Sequence, residues 1–383
     1  MSISIKIGDV KHDNQFGGRT TNISLGSNSF KTPNRTATNK EYNVSGDLPH
    51  DIKINNPVSE YILEFNTSNI QNFLNGNGSF ANRIEKLENG TQIMREYPVL
   101  STIKTPNNMR MPIKSLKLFL ELQNLTDISI ISLPPFEYSN IDEFSKVIID
   151  YNEMASQRKQ EIMPIIHMET KPDVFKEEFK ALRELYNNDA CKLIGFKYAH
   201  WKTHVQQLNE IHQHRDENIW YHCFDVPRKP RGQSNDFSAH LHSLQNWGVD
   251  TVSPYTIAMT QKQVAYLIYK NSQVTPDNLN MGTRFDADNL GILSESQWTD
   301  NYHENLNCNC EICRGTTLSE FKEKYSEERN GNFNPSVLTG AVKIHELLSG
   351  TDEFKKSYKE IKSDNLHNYY DKKSFIRGKI PRP

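Results

Sequence analysis

Leu193-Ile-Gly-Phe-Lys-Tyr198, then an amphipathic stretch over Thr203–His214, then Ile219-Trp-Tyr-His-Cys-Phe-Asp-Val226 decide the fold. Both apolar runs are too short for buried helices and are rich in aromatic and β-branched residues, so they read as buried strands. The segment between them carries apolar residues at helical spacing. A buried strand, a helix and another buried strand imply one parallel βα unit. The same alternation extends in both directions. Tyr97–Ser101, Ile128–Leu133, Ile162–His167 and Val249–Ser253 read as further strands. Ile113–Leu125, Ile141–Arg158, Val174–Tyr186 and Ser234–Trp247 read as the helices between them. No G-x-G-x-x-G opens any of these helices, and so many units in a row favour a (β/α)8 TIM-type barrel over a doubly wound sheet. In such a barrel the active site gathers at the C-terminal ends of the strands. That rule selects Thr102, Pro134 to Glu137, His167 to Glu169, Tyr198 to His200, Asp225, and Asp250 to Ser253.

With 383 residues, 36% hydrophobic and 24% charged, the chain can bury a large core. No apolar run approaches the ~20 residues of a membrane span. The N-terminus lacks an apolar signal core, so a cytoplasmic protein with no membrane partner is expected. The formal charge of −2 points to no polyanion, but two segments are basic: Arg228-Lys229-Pro230-Arg231 and the stretch from Lys372 to Arg382. The expected organisation is a β-rich N-terminal extension (1–90), the barrel (91–300), a metal-binding subdomain packed on it (301–350) and a basic C-terminal tail (351–383).

Three of the five cysteines fall within Cys308-Asn-Cys310-Glu-Ile-Cys313. C-x-C-x-x-C is the spacing of a metal knuckle, not of a secreted disulfide framework. A fourth ligand is expected from the helical segment Pro335–Leu348, which supplies His345; His303 is the second choice. Three cysteines and a histidine fill a tetrahedral sphere, so one structural zinc ion is expected. Cys191 and Cys223 read as small buried hydrophobes.

This knuckle, followed some thirty residues later by a helical histidine at the end of a barrel, resembles the tRNA-guanine transglycosylase superfamily over roughly Pro98 to Leu348. Ile162–Glu169 resembles the strand ending in a base-contacting residue, Leu193–Tyr198 the strand beneath the purine, and Trp247–Ser253 the strand carrying the nucleophilic aspartate. The long Asn/Thr-rich N-terminus and altered pocket look most like the DNA guanine transglycosylases. The resemblance implies replacement of guanine by a 7-deazaguanine, such as 7-cyano-7-deazaguanine, in DNA more than in tRNA, through a covalent glycosyl-aspartate. It implies Asp250 as nucleophile and His167, Gly195 and Tyr198 as base contacts. Asp225 is the candidate acid/base, ahead of Glu137 and Glu169. Arg228, Lys229 and Arg231 are the candidate nucleic-acid contacts. The pattern is incomplete: Thr102 stands where the family's second carboxylate falls. The sequence leaves a homodimer or a heterodimer open.

Two other readings remain. One is a non-catalytic subunit of a transglycosylase heterodimer. The other is a metal-dependent barrel hydrolase using the clustered histidines (His200 and His204, His212 and His214, His222, His240 and His242) with Asp225.

Overall fold

The computed structural model describes residues 4–46, 48, 52–75, 80–94, 96–106, 109–124, 126, 128–186, 191–199, 203–229, 236–255, 261–326 and 334–379. Fourteen strands are found among them. β1 (Ile5–His12), β2 (Arg19–Leu25) and β3 (Asn28–Lys31) form an antiparallel sheet. The larger sheet contains β4 (Asn34–Arg35), β5 (Ala37–Thr38), β6 (Ser59–Glu64), β7 (Val99–Lys104) and β8 (Ile130–Leu133). It continues through β9 (Glu161–His167), β10 (Leu193–Lys197), β11 (Trp220–Val226) and β12 (Thr251–Pro254). A hairpin of β13 (Thr283–Asp286) and β14 (Gly291–Ser294) follows.

The larger sheet is parallel and runs β4-β12-β11-β10-β9-β8-β7-β6-β5. The barrel therefore has nine strands where eight were expected. The ninth has a simple origin. Its two end strands, β4 and β5, are separated in the chain by Thr36 alone. β4 pairs with β12 and β5 with β6, so the chain changes partner at Thr36 and brings the two ends of the sheet together. The sheet also takes in Asn34–Thr38 and Ser59–Glu64, which the sequence reading gave to an N-terminal extension.

Period-two alternation sorts the strand side chains between two layers. Val99, Ile103, Ile131, Ile162, Ile166, Ile194, Phe196 and Cys223 face the helices, in the main core. Leu100, Ile130, Met163, Ile165, Leu193, Trp220 and Phe224 fill a second cluster together with Ile5, Ile23, Leu25 and Phe30 of the antiparallel sheet. Most of these positions lie in the first half of their strands. The N-terminal sheet therefore caps the N-terminal end of the barrel, with Phe30 edge-on to Trp220 at 5.5 Å between ring centroids. That leaves the opposite mouth as the open end.

The stretch expected to be a basic tail is packed. The helix Pro335–Lys362 runs through it, and Leu366, Tyr369, Tyr370 and Ile376 join Phe16 and Phe285 in a third apolar cluster. No helix is long and apolar enough to cross a membrane among the described residues.

Candidate functional site

A cavity of about 370 Å³ opens at the C-terminal mouth of the barrel. Strand ends supply its charged walls: Glu64 ends β6, Lys104 ends β7, Lys197 ends β10, and Asp225 is the penultimate residue of β11. Glu169, Tyr198 and Tyr255 lie just beyond β9, β10 and β12 and complete the site. Register puts Lys104 directly across from Glu64. The Lys104 ammonium sits 2.6 Å from Asp225 Oδ1 and 3.2 Å from Glu64 Oε1, with the Tyr255 ring 4.3 Å from its nitrogen. The Lys197 ammonium donates to the Thr105 carbonyl at 2.7 Å.

Asp225 reaches this site through a backbone irregularity. Its φ is +66°, and the β11–β12 register shifts between Cys223 and Val226. His222 and Phe224 stack ring on ring, and Cys223 packs on the outer side. Simple alternation would send Asp225 outward too. The extra residue of a bulge re-aims it at the mouth, and aspartate is among the few side chains that tolerate left-handed backbone. Burial raises its pKa, and Lys104 and then Lys197 oppose that rise. The mostly buried carboxylate is thus paired with the Lys104 ammonium and within the field of Lys197, an arrangement suited to proton transfer or nucleophilic attack.

Asp250, expected as nucleophile, is elsewhere. It immediately precedes β12, is fully buried, and pairs with the fully buried Arg19 at 3.1 Å. The Thr32 and Thr21 hydroxyls donate to its Oδ1 at 3.0 and 3.3 Å, and the Tyr221 N–H donates to its Oδ2 at 2.9 Å. Tyr221 precedes Asp225 by four residues on β11, so Asp250 lies roughly 13 Å down the strand direction from the mouth. Both carboxylate oxygens accept fold contacts at the capped end. That placement puts Asp250 away from the mouth cavity and makes it a clasp between the N-terminal sheet and the barrel.

The other sequence candidates divide. Tyr198 lines the mouth, its hydroxyl paired with His240 Nε2. His167 ends β9 and lines an adjoining cleft with Arg110, Glu169 and Lys171; its Nε2 is 3.4 Å from the Thr105 hydroxyl. Burial, reinforced by Lys197 and Arg110, lowers its pKa to about 3, so the ring is neutral. Gly195 lies inside the barrel, where a Cβ would meet Met163 Sδ at 3.0 Å and Ile165 Cγ1 at 3.2 Å. It serves packing and is not among the residues of the mouth. Arg228 is engaged within the fold, bonded to Thr283 Oγ1 at 2.8 Å and paired with Glu346. Lys229 is exposed, and Arg231 lies outside the described residues. Thr102 is buried in the barrel interior beside Glu60.

Glu64, Lys104 and Lys197 were missed. The strand read as Tyr97–Ser101 runs to Lys104, and the alternating Ser59–Glu64 was taken as part of the extension. Counting in twos from the inward Leu193 would have placed Lys197 on the inner face.

The second centre is a cluster of Cys308, Cys310, Cys313 and His345, whose ligand atoms all lie within 4.8 Å of one another. The His345 Nδ1 is 3.5, 3.4 and 3.3 Å from the three sulfurs in that order, and Cys310 and Cys313 Sγ are 3.4 Å apart. A tetrahedron of ~2.3 Å metal–sulfur bonds sets its ligand atoms ~3.5–3.8 Å apart, so the cluster fits one ion with slight expansion. The His345 Nε2 lies 2.8 Å from the Phe285 carbonyl, which accepts its proton and leaves the Nδ1 lone pair facing the thiolates. The Arg284 guanidinium donates to Cys313 Sγ at 2.6 Å and lies over the Trp298 ring. Among the described residues this is the single group of three or more Cys, His, Asp or Glu side chains with metal-ligand spacing. Among the described residues the clustered histidines do not form another; His200 lies outside the described residues.

Comparison of the sequence with known protein families and with curated proteins finds no match.

Proposed function

We propose that this protein is a nucleic-acid base-exchange enzyme of the guanine transglycosylase type, working at the C-terminal mouth with Asp225, not Asp250, as its central carboxylate. One observation carries the reading: a strand-end aspartate at positive φ, mostly buried and paired with Lys104, lines a cavity large enough for a purine. The Cys3His cluster, read as a structural zinc centre, supports it through the sequence resemblance. On this reading a carboxylate attacks the anomeric carbon, the glycosidic bonding pair leaves with the base, and a neighbouring acid supplies the base with a proton. The incoming 7-deazaguanine then gives its ring N–H proton back to that neighbouring group and its nitrogen displaces the carboxylate. A flipped base would stack on Tyr198 or Tyr255. DNA is favoured over tRNA as polymer, with Lys229 as a backbone contact.

The burial of Asp250 favours a second reading, a catalytically silent subunit of a transglycosylase heterodimer. The test is incorporation of labelled guanine or 7-cyano-7-deazaguanine into duplex DNA and unfractionated tRNA. We expect incorporation that falls at least ~100-fold in Asp225→Asn, a typical loss for a group acting on the transition state. Incorporation that survives in Asp225→Asn would remove that residue from the chemistry. A folded, metal-loaded protein that transfers no label to either polymer would leave the silent subunit.

A further inference from the structure

Lys197 is not needed by that reaction, yet it occupies a distinctive place. It ends β10, its neighbours in register are His167 of β9 and Phe224 of β11, and its ammonium hydrogen-bonds to the chain after β7. The charged groups acting on it come from four sides: Asp225 on β11, Lys104 on β7, Glu169 after β9 and Glu64 on β6, with neutral His167 alongside. Lys104 is balanced by its own pairs with Glu64 and Asp225. Lys197 is 4% exposed and lines the mouth cavity. An amine of this kind, largely desolvated with a second cation nearby, is the arrangement that makes a lysine nucleophilic near neutral pH.

We propose that Lys197 captures the carbonyl carbon of an open-chain sugar as a Schiff base at the barrel mouth. The proposal rests on the mouth being the ligand site, and not on the ligand being a nucleic acid. The neutral amine adds to the carbonyl carbon, and the surplus proton on nitrogen passes to the carbonyl oxygen to give a carbinolamine. Asp225, in its protonated form, delivers a proton to the departing hydroxyl. Water leaves as the nitrogen lone pair forms the C=N bond, and the nitrogen's remaining proton can return to the Asp225 carboxylate. No oxidant or reductant is consumed. Burial lowers the Lys197 pKa; Asp225 pulls the other way and Lys104 reinforces burial. The sugar class follows from the walls. Asn66, Thr67, Thr105, Tyr198 and Tyr255 offer hydroxyl and amide partners, and three carboxylates against two ammonium groups disfavour a phosphate.

The test is reductive trapping. Full-length metal-loaded protein is incubated at pH 7 with D-ribose, 2-deoxyribose or glyceraldehyde and sodium cyanoborohydride, then digested and mapped by mass spectrometry. We expect one reduced adduct per chain on Lys197, formed at least ~10-fold faster than on any other lysine. Lys197→Arg should abolish it while metal content and circular dichroism stay at the wild-type values. Asp225→Asn should slow trapping without moving the modified residue. Adducts spread evenly over surface lysines, or an unmodified Lys197, would overturn the proposal. Base exchange is read separately: trapping without label transfer keeps this inference and sinks the transglycosylase reading, and the reverse result does the opposite.

Discussion

At the scale of single residues, the partners of a buried titratable group decide how far it is committed to the fold. Asp250 and Arg19 are both fully buried, and the aspartate also accepts from Thr32, Thr21 and the Tyr221 backbone. Removing one partner of such a pair leaves an uncompensated charge, at a cost of about 3–5 kcal/mol. Asp250→Ala is therefore expected to lower the urea midpoint markedly, whereas Asp225→Asn, which leaves Lys104 its Glu64 partner, should lower it much less. The opposite ranking would return Asp250 to the list of reacting groups. His242 gives a pH signature. Its ring is stacked between Phe285 and Phe354, with centroids 5.2 and 4.2 Å away. Burial holds its pKa down at about 3, from an ordinary 6.5. The folded state thus refuses a proton that the unfolded chain accepts below pH 6.5. Stability is full above that pH and falls as pH drops toward 3, by up to ~1.4 kcal/mol per pH unit for this group. His242→Gln should flatten the acid limb of the urea midpoint between pH 6.5 and 4. An unchanged slope would mean that other groups dominate it.

Secondary-structure elements show what the sequence revealed and where it stopped. The parallel βα pattern was legible because burial on both faces writes strands as apolar runs. The run Ile219–Val226 located β11 within one residue. The ring closure was not legible: Asn34–Arg35 and Ala37–Thr38 are too short and polar to read as strands, and their places are set by backbone pairing to β12 and β6. The knuckle was fully legible, because ligand chemistry permits few residue types at fixed spacing. Its fourth ligand was expected from the helical segment Pro335–Leu348, and His303, the second choice, ends its helix with a φ of +53° outside the cluster. Asp250 was expected at the mouth and lies at the capped end, because an aspartate beside a strand looks the same in sequence at either end of the barrel. Asp225 was found by its strand-end position, but the bulge that turns it inward was invisible. That bulge makes a prediction about β11. At a φ of +66° glycine is relaxed and alanine is strained, by about 1 kcal/mol. Asp225→Gly should therefore unfold at a higher urea concentration than Asp225→Ala, although both delete the Lys104 partner. In an ordinary strand position the order would reverse.

Across the whole molecule, the metal cluster and the mouth are joined by one helix. Pro335–Lys362 carries His345, and the next residue, Glu346, pairs with Arg228, two residues beyond the end of β11. Against the upward push of burial, Arg228 and then Arg35 of β4 hold the Glu346 carboxyl below its ordinary range. The same helix packs on β1, β2, β4 and β13, so it touches the capping sheet, the barrel closure and the hairpin. A metal that fixes His345 therefore fixes the register of this helix against three other parts of the fold. Structural metal sites contribute on the order of 10 kcal/mol to folding. A ~1 kcal/mol change moves the Tm of a large domain by roughly 2 °C. Chelation, or Cys313→Ser, should then lower Tm by at least ~10 °C, with one metal ion per chain lost by elemental analysis. The link to the mouth makes a further demand. Glu346→Gln leaves all four ligands in place, so it should keep its metal and nearly all its Tm. It should nevertheless slow trapping at Lys197, because Arg228 loses the charge that anchors the chain after Asp225. Equal trapping rates in Glu346→Gln and the parent protein would show that the helix stabilises the barrel without positioning its mouth.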